Sequence, residues 1–216
     1  MSGIPLETPV PSDYPALLTR IDEWHHRVRV RFPGVVPCRA GCAACCHGPF
    51  DISVADALVV RDAVAALPDG ERDAVRQRAR EQVSRLADAE PSFRFPWDVS
   101  RLEEARFDAL VEAEADVPCP ALGGSGECMI YLNRPMVCRL MGLGVQTVSG
   151  EVLENACPIQ DEFPEYRALP PQEFDLEGWE REEMTALRIA AERLFARGSD
   201  IGYETTIAGA VLLGGA

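Results

Sequence analysis

Eight cysteines are the residues of this chain whose type and spacing could do chemistry. They form two groups: Cys38, Cys42, Cys45 and Cys46 lie within nine residues, and Cys119, Cys128, Cys138 and Cys157 are spread over the second half of the chain. Clustered thiolates bind metal ions or iron–sulfur clusters in reducing compartments, and cysteines form disulfides in oxidising ones. The compartment therefore decides between these two kinds of chemistry.

The amino-terminal segment and the chain length both favour reduced thiols. Residues 1–11 contain no basic stretch followed by a long apolar run, so we expect no secretory signal. A chain of 216 residues can bury a hydrophobic core without covalent cross-links. We therefore expect a cytoplasmic protein whose cysteines bind a metal ion or an iron–sulfur cluster. A disulfide or redox relay is the second interpretation.

The first cysteine group can deliver several ligands from one short loop. The spacing Cys38-x3-Cys42-x2-Cys45 brings three thiols together, and Gly41 with the small alanines beside it lets the backbone turn closely. Cys46 differs, because the side chains of adjacent residues point apart. We expect Cys46 to serve a second centre, to bridge two ions or to stay free.

The second group is dispersed, so each of its cysteines needs its own turn to reach a shared centre. A fourth ligand for the first loop must come from this group, or from His47 in a mixed site. Two arrangements remain open at this point: one four-cysteine site with spare thiols, or two sites that draw on the same eight cysteines. Three arginines beside the candidate ligands could lower thiol pKa values and offset the charge of a cluster: Arg39, Arg134 and Arg139.

The spacing favours an iron–sulfur cluster over zinc. Structural zinc sites commonly use two closely spaced cysteine pairs, and the chain has no second pair of that kind. A triplet with a distant fourth ligand is more usual for an iron–sulfur cluster. Zinc is the alternative.

The ordered cysteine pattern resembles a known bacterial family. The matching motifs are Cys38-x3-Cys42-x2-Cys45-Cys46, then Cys119-Pro120-x-Leu122, then Cys128-x-Ile130-Tyr131-x2-Arg134-Pro135-x2-Cys138-Arg139, and finally Cys157-Pro158. This pattern is similar to cysteine-cluster proteins described as putative zinc- or iron-chelating domains, and the resemblance covers residues 38–158. It implies a metal site and no particular reaction.

Flagellin lysine N-methylases share a similar cysteine pattern. That second resemblance implies a [4Fe–4S] type of iron–sulfur cluster, S-adenosylmethionine as a further cofactor, and a protein substrate. The chain is short for such an enzyme. A protein methyltransferase is therefore an alternative function, as are a zinc-stabilised interaction module and a metal-handling or redox-sensing protein.

Composition excludes several other functions. The formal net charge of −14 makes a nucleic-acid partner unexpected, because binding to phosphates needs clustered cations. The chain has no lysine, which excludes a lysine Schiff base or a P-loop lysine. No run of about 20 apolar residues is present, so we expect no membrane anchor. A run of histidine and arginine between positions 25 and 31 is interpreted as a solvated helix face.

The elements that must position the cysteines are mainly α-helical. Apolar periodicity predicts helices over residues 13–32, 53–67, 71–86, 100–110 and 179–197. Between Pro118 and Pro158 the helical period disappears; we predict a short strand at Met129–Leu132 and a hairpin around Ser149-Gly150. The expected fold is a single helical domain, residues 1–216, around a cysteine-rich loop and a small β-hairpin segment, organised by metal. Residues 38–158 form its metal-binding core, and residues 159–216 add a carboxy-terminal helix and tail.

Overall fold

The computed structural model describes residues 10–11, 13–39, 41–195 and 201–213, and within them helices predominate. The α-helices are α1 (Tyr14–Arg31), α2 (Val54–Ala65), α3 (Asp69–Ala89), α4 (Glu104–Ala113), α5 (Met136–Leu140), α6 (Pro164–Arg167), α7 (Leu176–Phe195) and α8 (Ile207–Leu212). The strands are β1 (Asp51–Ser53), β2 (Val145–Gln146), β3 (Val152–Leu153), β4 (Gln172–Glu173) and β5 (Glu204–Thr206). Short 3₁₀ helices span Val99–Arg101, Tyr131–Asn133 and Gln160–Glu162. The mainly α prediction is confirmed.

The centre of the core is the short helix α8, which packs against α2 and α3. Every residue of α8 is buried, and so are most residues of α2. The Thr206 hydroxyl accepts a hydrogen bond from the Gly209 amide at 3.0 Å and so caps the start of α8. Strand β5, immediately before α8, pairs antiparallel with β1, immediately before α2, which brings these two buried helices together.

Helix α1 packs between this core and the cysteine-rich segment. Its buried residues recur at helical spacing, and the helix packs against both α5 and α7. The Trp179 indole of α7 donates a hydrogen bond to the Leu17 carbonyl oxygen at 2.9 Å, and the Trp24 indole donates to the Glu173 carbonyl oxygen at 2.8 Å. Helix α5 carries Cys138, so α1 fixes the position of that thiol relative to the core.

The predicted hairpin is present, and a third strand joins it. Strands β2 and β3 pair antiparallel, with Gly150 in the connecting turn at a φ of 91°, which favours glycine. Strand β4 adds to β2 in parallel register. The predicted strand at Met129–Leu132 is wrong: residues Tyr131–Asn133 form a 3₁₀ helix, because the chain turns sharply after Cys128.

The predicted helices are present, with shifted ends; residues 196 and 197, where the last predicted helix ends, lie outside the described residues. Helix α7 begins at Leu176, because the Asp175 carboxylate accepts a hydrogen bond from the Gly178 amide at 2.9 Å and satisfies the first turn. The helix predicted from residue 100 begins later: the Asp98 side chain caps a 3₁₀ helix at Val99–Arg101, and α4 starts after Glu103 without a side-chain cap. Among the described residues, none of the helices is both long and apolar enough to cross a membrane.

Candidate metal centre

The first cysteine group lies on a loop that turns twice in quick succession. The Cys42 amide donates to the Arg39 carbonyl oxygen at 3.0 Å, and the Cys46 amide donates to the Ala43 carbonyl oxygen at 2.9 Å. Gly41, inside the first of these turns, has a φ of 81°. Cys38, Cys42, Cys45 and Cys46 are all half-buried. The loop therefore carries four half-buried cysteines, of which Cys38 and Cys46 pack against the hydrophobic core.

Cys119, the first cysteine of the second group, is hydrogen-bonded to this loop through its main chain. The Cys119 amide donates to the Cys46 carbonyl oxygen at 2.8 Å, and an isolated antiparallel bridge pairs His47 with Pro118. The Gly48 amide continues the pairing by donating to the Val117 carbonyl oxygen at 2.8 Å. A short main-chain ladder thus joins the two cysteine groups across some 70 residues of sequence. His47 lies within this ladder, next to both groups.

The glycine-rich stretch after Cys119 folds back on itself, which brings Cys128 beside Leu122. Leu122 and Cys128 form an isolated bridge, and the Gly123 amide donates to the Glu127 carbonyl oxygen at 2.8 Å. Cys138 follows on α5. Cys157 is buried, and its amide donates to the Asn155 side chain at 3.0 Å. Cys119, Cys128 and Cys157 therefore lie in turns of their own, whereas Cys138 is carried by helix α5.

The eight thiols form two neighbourhoods that meet at Cys45. Cys38 interacts electrostatically with Cys42, Cys45 and Cys157. Cys138 interacts with Cys45, Cys119 and Cys128. Cys46 interacts with Cys45, Cys119 and Cys138. Cys46 belongs with the dispersed cysteines, whereas Cys157, the most distant in sequence, lies beside the first loop.

Burial keeps most of these thiols protonated. It raises the pKa of Cys38 to about 11, and the neighbouring thiols of Cys157 and Cys42 add to the increase. Burial likewise raises the pKa of Cys119 to about 11 and the pKa values of Cys128 and Cys138. Because thiolates are the metal-binding form, metal loading at neutral pH would release protons.

Cys45 is the exception, and its neighbours explain why. A hydrogen bond with Cys46, with a smaller contribution from the charge of Arg134, lowers the pKa of Cys45 to about 7 against the effect of burial. The same hydrogen bond raises the pKa of Cys46. Cys45 is therefore partly ionised at neutral pH.

The three arginines predicted to act on the thiols behave differently from one another. The Arg134 guanidinium lies 4.2 Å from the centre of the Tyr131 ring. Its charge contributes to the lowered pKa of Cys45 and partly opposes the rise that burial causes in the pKa of Cys128. Arg139 is buried and donates to the carbonyl oxygens of Leu132 and Arg134 at 2.7 and 2.8 Å, so it holds the backbone around the cysteines. Arg39 is exposed on the loop.

One carboxylate outside the cysteine-rich segment binds two of these arginines. Asp22 of α1 accepts a hydrogen bond from Arg134 at 2.8 Å and another from Arg139. Asp22 is separated from both arginines by more than 100 residues, and a lone aspartate on a helix gives no local signal for such a role. Sequence reasoning therefore missed it.

A second contact set missed by sequence reasoning surrounds Cys38. Gly142 has a φ of 94°, and a Cβ there would lie 2.7 Å from Cys38 Sγ and 3.9 Å from His25 Nε2. The Tyr166 hydroxyl donates to the Gly142 carbonyl oxygen at 2.5 Å. His25 is half-buried rather than part of a fully solvated face, and burial, with Arg134 second, lowers its pKa to about 4. The imidazole beside Cys38 is therefore neutral at pH 7.

The donor set fits a thiolate-binding metal, although the side chains are not in a binding arrangement. All eight cysteines are free thiols. Across the described ranges, no three histidine, cysteine, aspartate or glutamate side chains are close enough together to hold one metal ion. Zinc and iron both favour thiolate ligands, and the two neighbourhoods supply enough of them. Metal binding would require the thiols to rotate toward a common point.

Comparison with known proteins identifies the cysteine-rich segment. A model of the CxxCxxCC family, described as a putative zinc- or iron-chelating domain, matches residues 37–158, which is more than half of the chain. Neither the curated proteins nor the solved structures give a match to this chain. The match covers all eight cysteines and leaves α1 and α7 outside it.

Proposed function

The chain belongs to this family of zinc- or iron-chelating domains, and on that basis we propose that it is an iron–sulfur protein with two four-cysteine centres. Cys38, Cys42, Cys45 and Cys157 form the first thiol set. Cys46, Cys119, Cys128 and Cys138 form the second thiol set. The observation that carries the proposal is the division of the eight thiols into two neighbourhoods that meet at the adjacent residues Cys45 and Cys46.

The choice of iron–sulfur over zinc rests on spacing. Structural zinc sites commonly pair two short cysteine hairpins, whereas each proposed set combines ligands from one short segment with a ligand from far along the chain. A [4Fe–4S] cluster takes four thiolates in such patterns. Arg134, beside Cys45 and Cys128, supplies a positive charge that would partly offset the charge of the clusters.

Two complete thiol sets favour electron transfer or a structural role over S-adenosylmethionine chemistry. Each cluster would have four protein ligands and thus no open iron position for a cofactor. The relation to flagellin lysine N-methylases stays a prediction. Free thiols and the absence of disulfide partners among the described cysteines fit a reducing compartment such as the cytoplasm.

The experiment is an anaerobic purification followed by counts of iron, zinc and acid-labile sulfide per chain, with an absorption spectrum. We expect iron and sulfide in equal amounts, near eight of each per chain for two [4Fe–4S] clusters. Stoichiometric zinc without sulfide would replace the iron–sulfur proposal with a zinc module.

Single substitutions then test the division into two sets. Cys42→Ser should remove about half of the iron, Cys128→Ser should remove the other half, and the double variant should remove all of it. Ala44→Ser, in the same loop, introduces a hydroxyl without removing a thiol and should keep the full iron content. Complete loss of iron from each single variant would indicate one centre that uses cysteines of both sets.

A further inference from the structure

A cavity formed by the described residues lies beside the cysteine-rich segment, and none of the eight cysteines lines it. It has a volume of about 410 Å³, within the range of small-molecule sites, and lies between α5, the β2–β3 hairpin, α7 and β5. Met136, Val137 and Leu140 of α5 line one side of it, whereas Cys138 of the same helix does not. The cavity is therefore a separate site from the proposed metal centres, and nothing in the proposed function accounts for it.

The lining of this cavity combines apolar side chains with a single sign of charge. Ile52, Leu143, Val145 and Leu187 add to the apolar wall. The charged residues that line it within the described ranges are all acidic: Asp51, Asp56, Glu154, Glu183 and Glu204. Asp51, Glu154 and Glu204 are exposed, whereas Asp56 and Glu183 are buried, which places the two buried carboxyls away from solvent.

The two buried carboxyls have fewer hydrogen-bond donors than they can use. The Tyr14 hydroxyl lies near both and donates its one proton to Glu183 Oε1 at 3.1 Å, where the Ser53 hydroxyl also points at 3.4 Å. The Met136 amide donates to Asp56 Oδ2 at 3.0 Å. Within the described part of the chain, Asp56 Oδ1 has no hydrogen-bond partner, although only 2% of Asp56 is exposed.

A buried carboxylate oxygen without a donor is unusual, because desolvation makes such a group costly unless a charge or a hydrogen bond compensates it. Arg139 acts on Asp56 from a distance, but its guanidinium is held by Asp22 and two backbone carbonyls. The missing partner is thus a hydrogen-bond donor, and a positive charge would satisfy both carboxyls at once.

We propose that this cavity binds a small organic ammonium ion, with the cation held by Asp56 and Glu183 and its apolar body against the α5 and hairpin wall. The acidic mouth formed by Asp51, Glu154 and Glu204 would attract cations and repel anions of similar size. The apolar walls favour an alkyl or aryl amine over a bare metal cation, which would need further oxygen ligands.

The test compares three probes with the same chain length against the purified full-length protein at pH 7.5: hexylammonium, hexanol and hexanoate. Isothermal titration calorimetry should show hexylammonium binding about 10- to 100-fold more tightly than hexanol, as expected for a hydrogen bond to a charged group. Hexanoate should not bind. Equal affinity for the amine and the alcohol, or no binding of the amine, would overturn the proposal.

Substitutions inside and outside the cavity test where the amine binds. Asp56→Asn keeps the acceptor for the Met136 amide and should reduce hexylammonium affinity about 10-fold or more. Leu187→Trp should weaken the binding of hexylammonium by filling the cavity, without a change of charge. Glu192→Gln, an exposed position of α7 outside the cavity, is the matched control and should bind like the parent protein. Amine binding that is unchanged in both cavity variants would indicate adventitious attraction to an acidic protein and would also overturn the proposal.

Binding of the amine does not depend on the metal content of the protein. Iron, zinc and sulfide are measured on the same samples, so that metal content and amine binding are known separately. A protein with a different metal content can still bind the amine. Conversely, a protein with both clusters can fail to bind it. The two proposals can therefore fail separately.

Discussion

The amide nitrogen of Cys119 lies 2.8 Å from the carbonyl oxygen of Cys46, so the first cysteine loop and the dispersed cysteines are joined through the main chain. This contact places the thiols of both groups within one region, although the segments that carry them have little regular structure. Helices α2, α3 and α8, which form the centre of the core, contain no cysteine. The metal-binding region and the apolar core are thus distinct parts of the same fold.

Metal removal should loosen the metal-binding region and leave the apolar core folded. The described parts of the segments 37–48 and 118–135 have little regular secondary structure, and we expect their order to depend on bound metal, because metal-binding free energy contributes directly to folding. Amide hydrogen exchange with mass spectrometry should show faster exchange in these segments after anaerobic chelation. Peptides from α2, α3 and α8 should remain protected. Equal loss of protection in both parts would show that the apolar core also needs the metal.

The sequence predicts those elements that have a clear apolar period. Helices α1, α3 and α7 are long enough for several turns of that period, so their existence could be predicted, with ends shifted by a few residues. Helix α8 could not be predicted, because Ile207–Leu212 is short, apolar on all sides and therefore without a period. Its burial depends on β5 pairing with β1, some 150 residues away.

The candidate site also contains residues that could be predicted from the sequence and residues that could not. All eight cysteines could be named from residue type and spacing, because thiols are rare and clustered. Asp22, His25 and Tyr166 could not, since each reaches the cysteine-rich segment from another helix. Their roles come from tertiary packing, which a single sequence does not display.

Substitution of Asp22 should destabilise the cysteine-rich segment. Asp22→Asn removes the carboxylate shared by Arg134 and Arg139, and the Arg139 side chain is only 4% exposed. An unpaired buried guanidinium is costly, and because Asp22 is partly exposed we expect a loss of about 1–3 kcal/mol in the free energy of unfolding. Urea denaturation followed by tryptophan fluorescence measures it.

Asp161→Asn is the matched control for that prediction. Asp161 pairs with Arg167, and both side chains are more than 60% exposed, so the loss should be below about 1 kcal/mol. A similar loss in both variants would mean that burial of Arg139 adds nothing to the stability that its pair with Asp22 provides.

The buried carboxyl of Glu183 should make stability fall as the pH rises. Burial, with the charge of Asp56 second, raises the pKa of Glu183 from 4.5 to about 7. The folded protein therefore holds a proton that the unfolded chain releases, and the resulting stabilisation is full below about pH 4.5 and is lost as the pH rises through 7.

Glu183→Gln removes this titration while keeping an acceptor for the Tyr14 hydroxyl. The stability of the variant relative to the parent should increase by about 3 kcal/mol between pH 4.5 and 8. Denaturation midpoints at several pH values measure the change. Glu182→Gln, at the next position of α7 and 60% exposed, should run parallel to the parent at every pH. A parallel curve for Glu183→Gln as well would contradict the assignment of the proton to this carboxyl.

Gly142 should be intolerant of any side chain because of Cys38. In Gly142→Ala the new Cβ would lie 2.7 Å from Cys38 Sγ and 3.3 Å from the Tyr166 hydroxyl, so the thiol must move. Gly150→Ala is a close control, since Gly150 has a similar φ of 91° with open space around it. Both variants carry the backbone strain of about 1 kcal/mol. Only Gly142→Ala adds displacement of a proposed ligand, so it alone should lose metal from the first thiol set. Metal analysis of both purified variants separates the two effects: equal metal content would show that the position of Cys38 does not control metal binding.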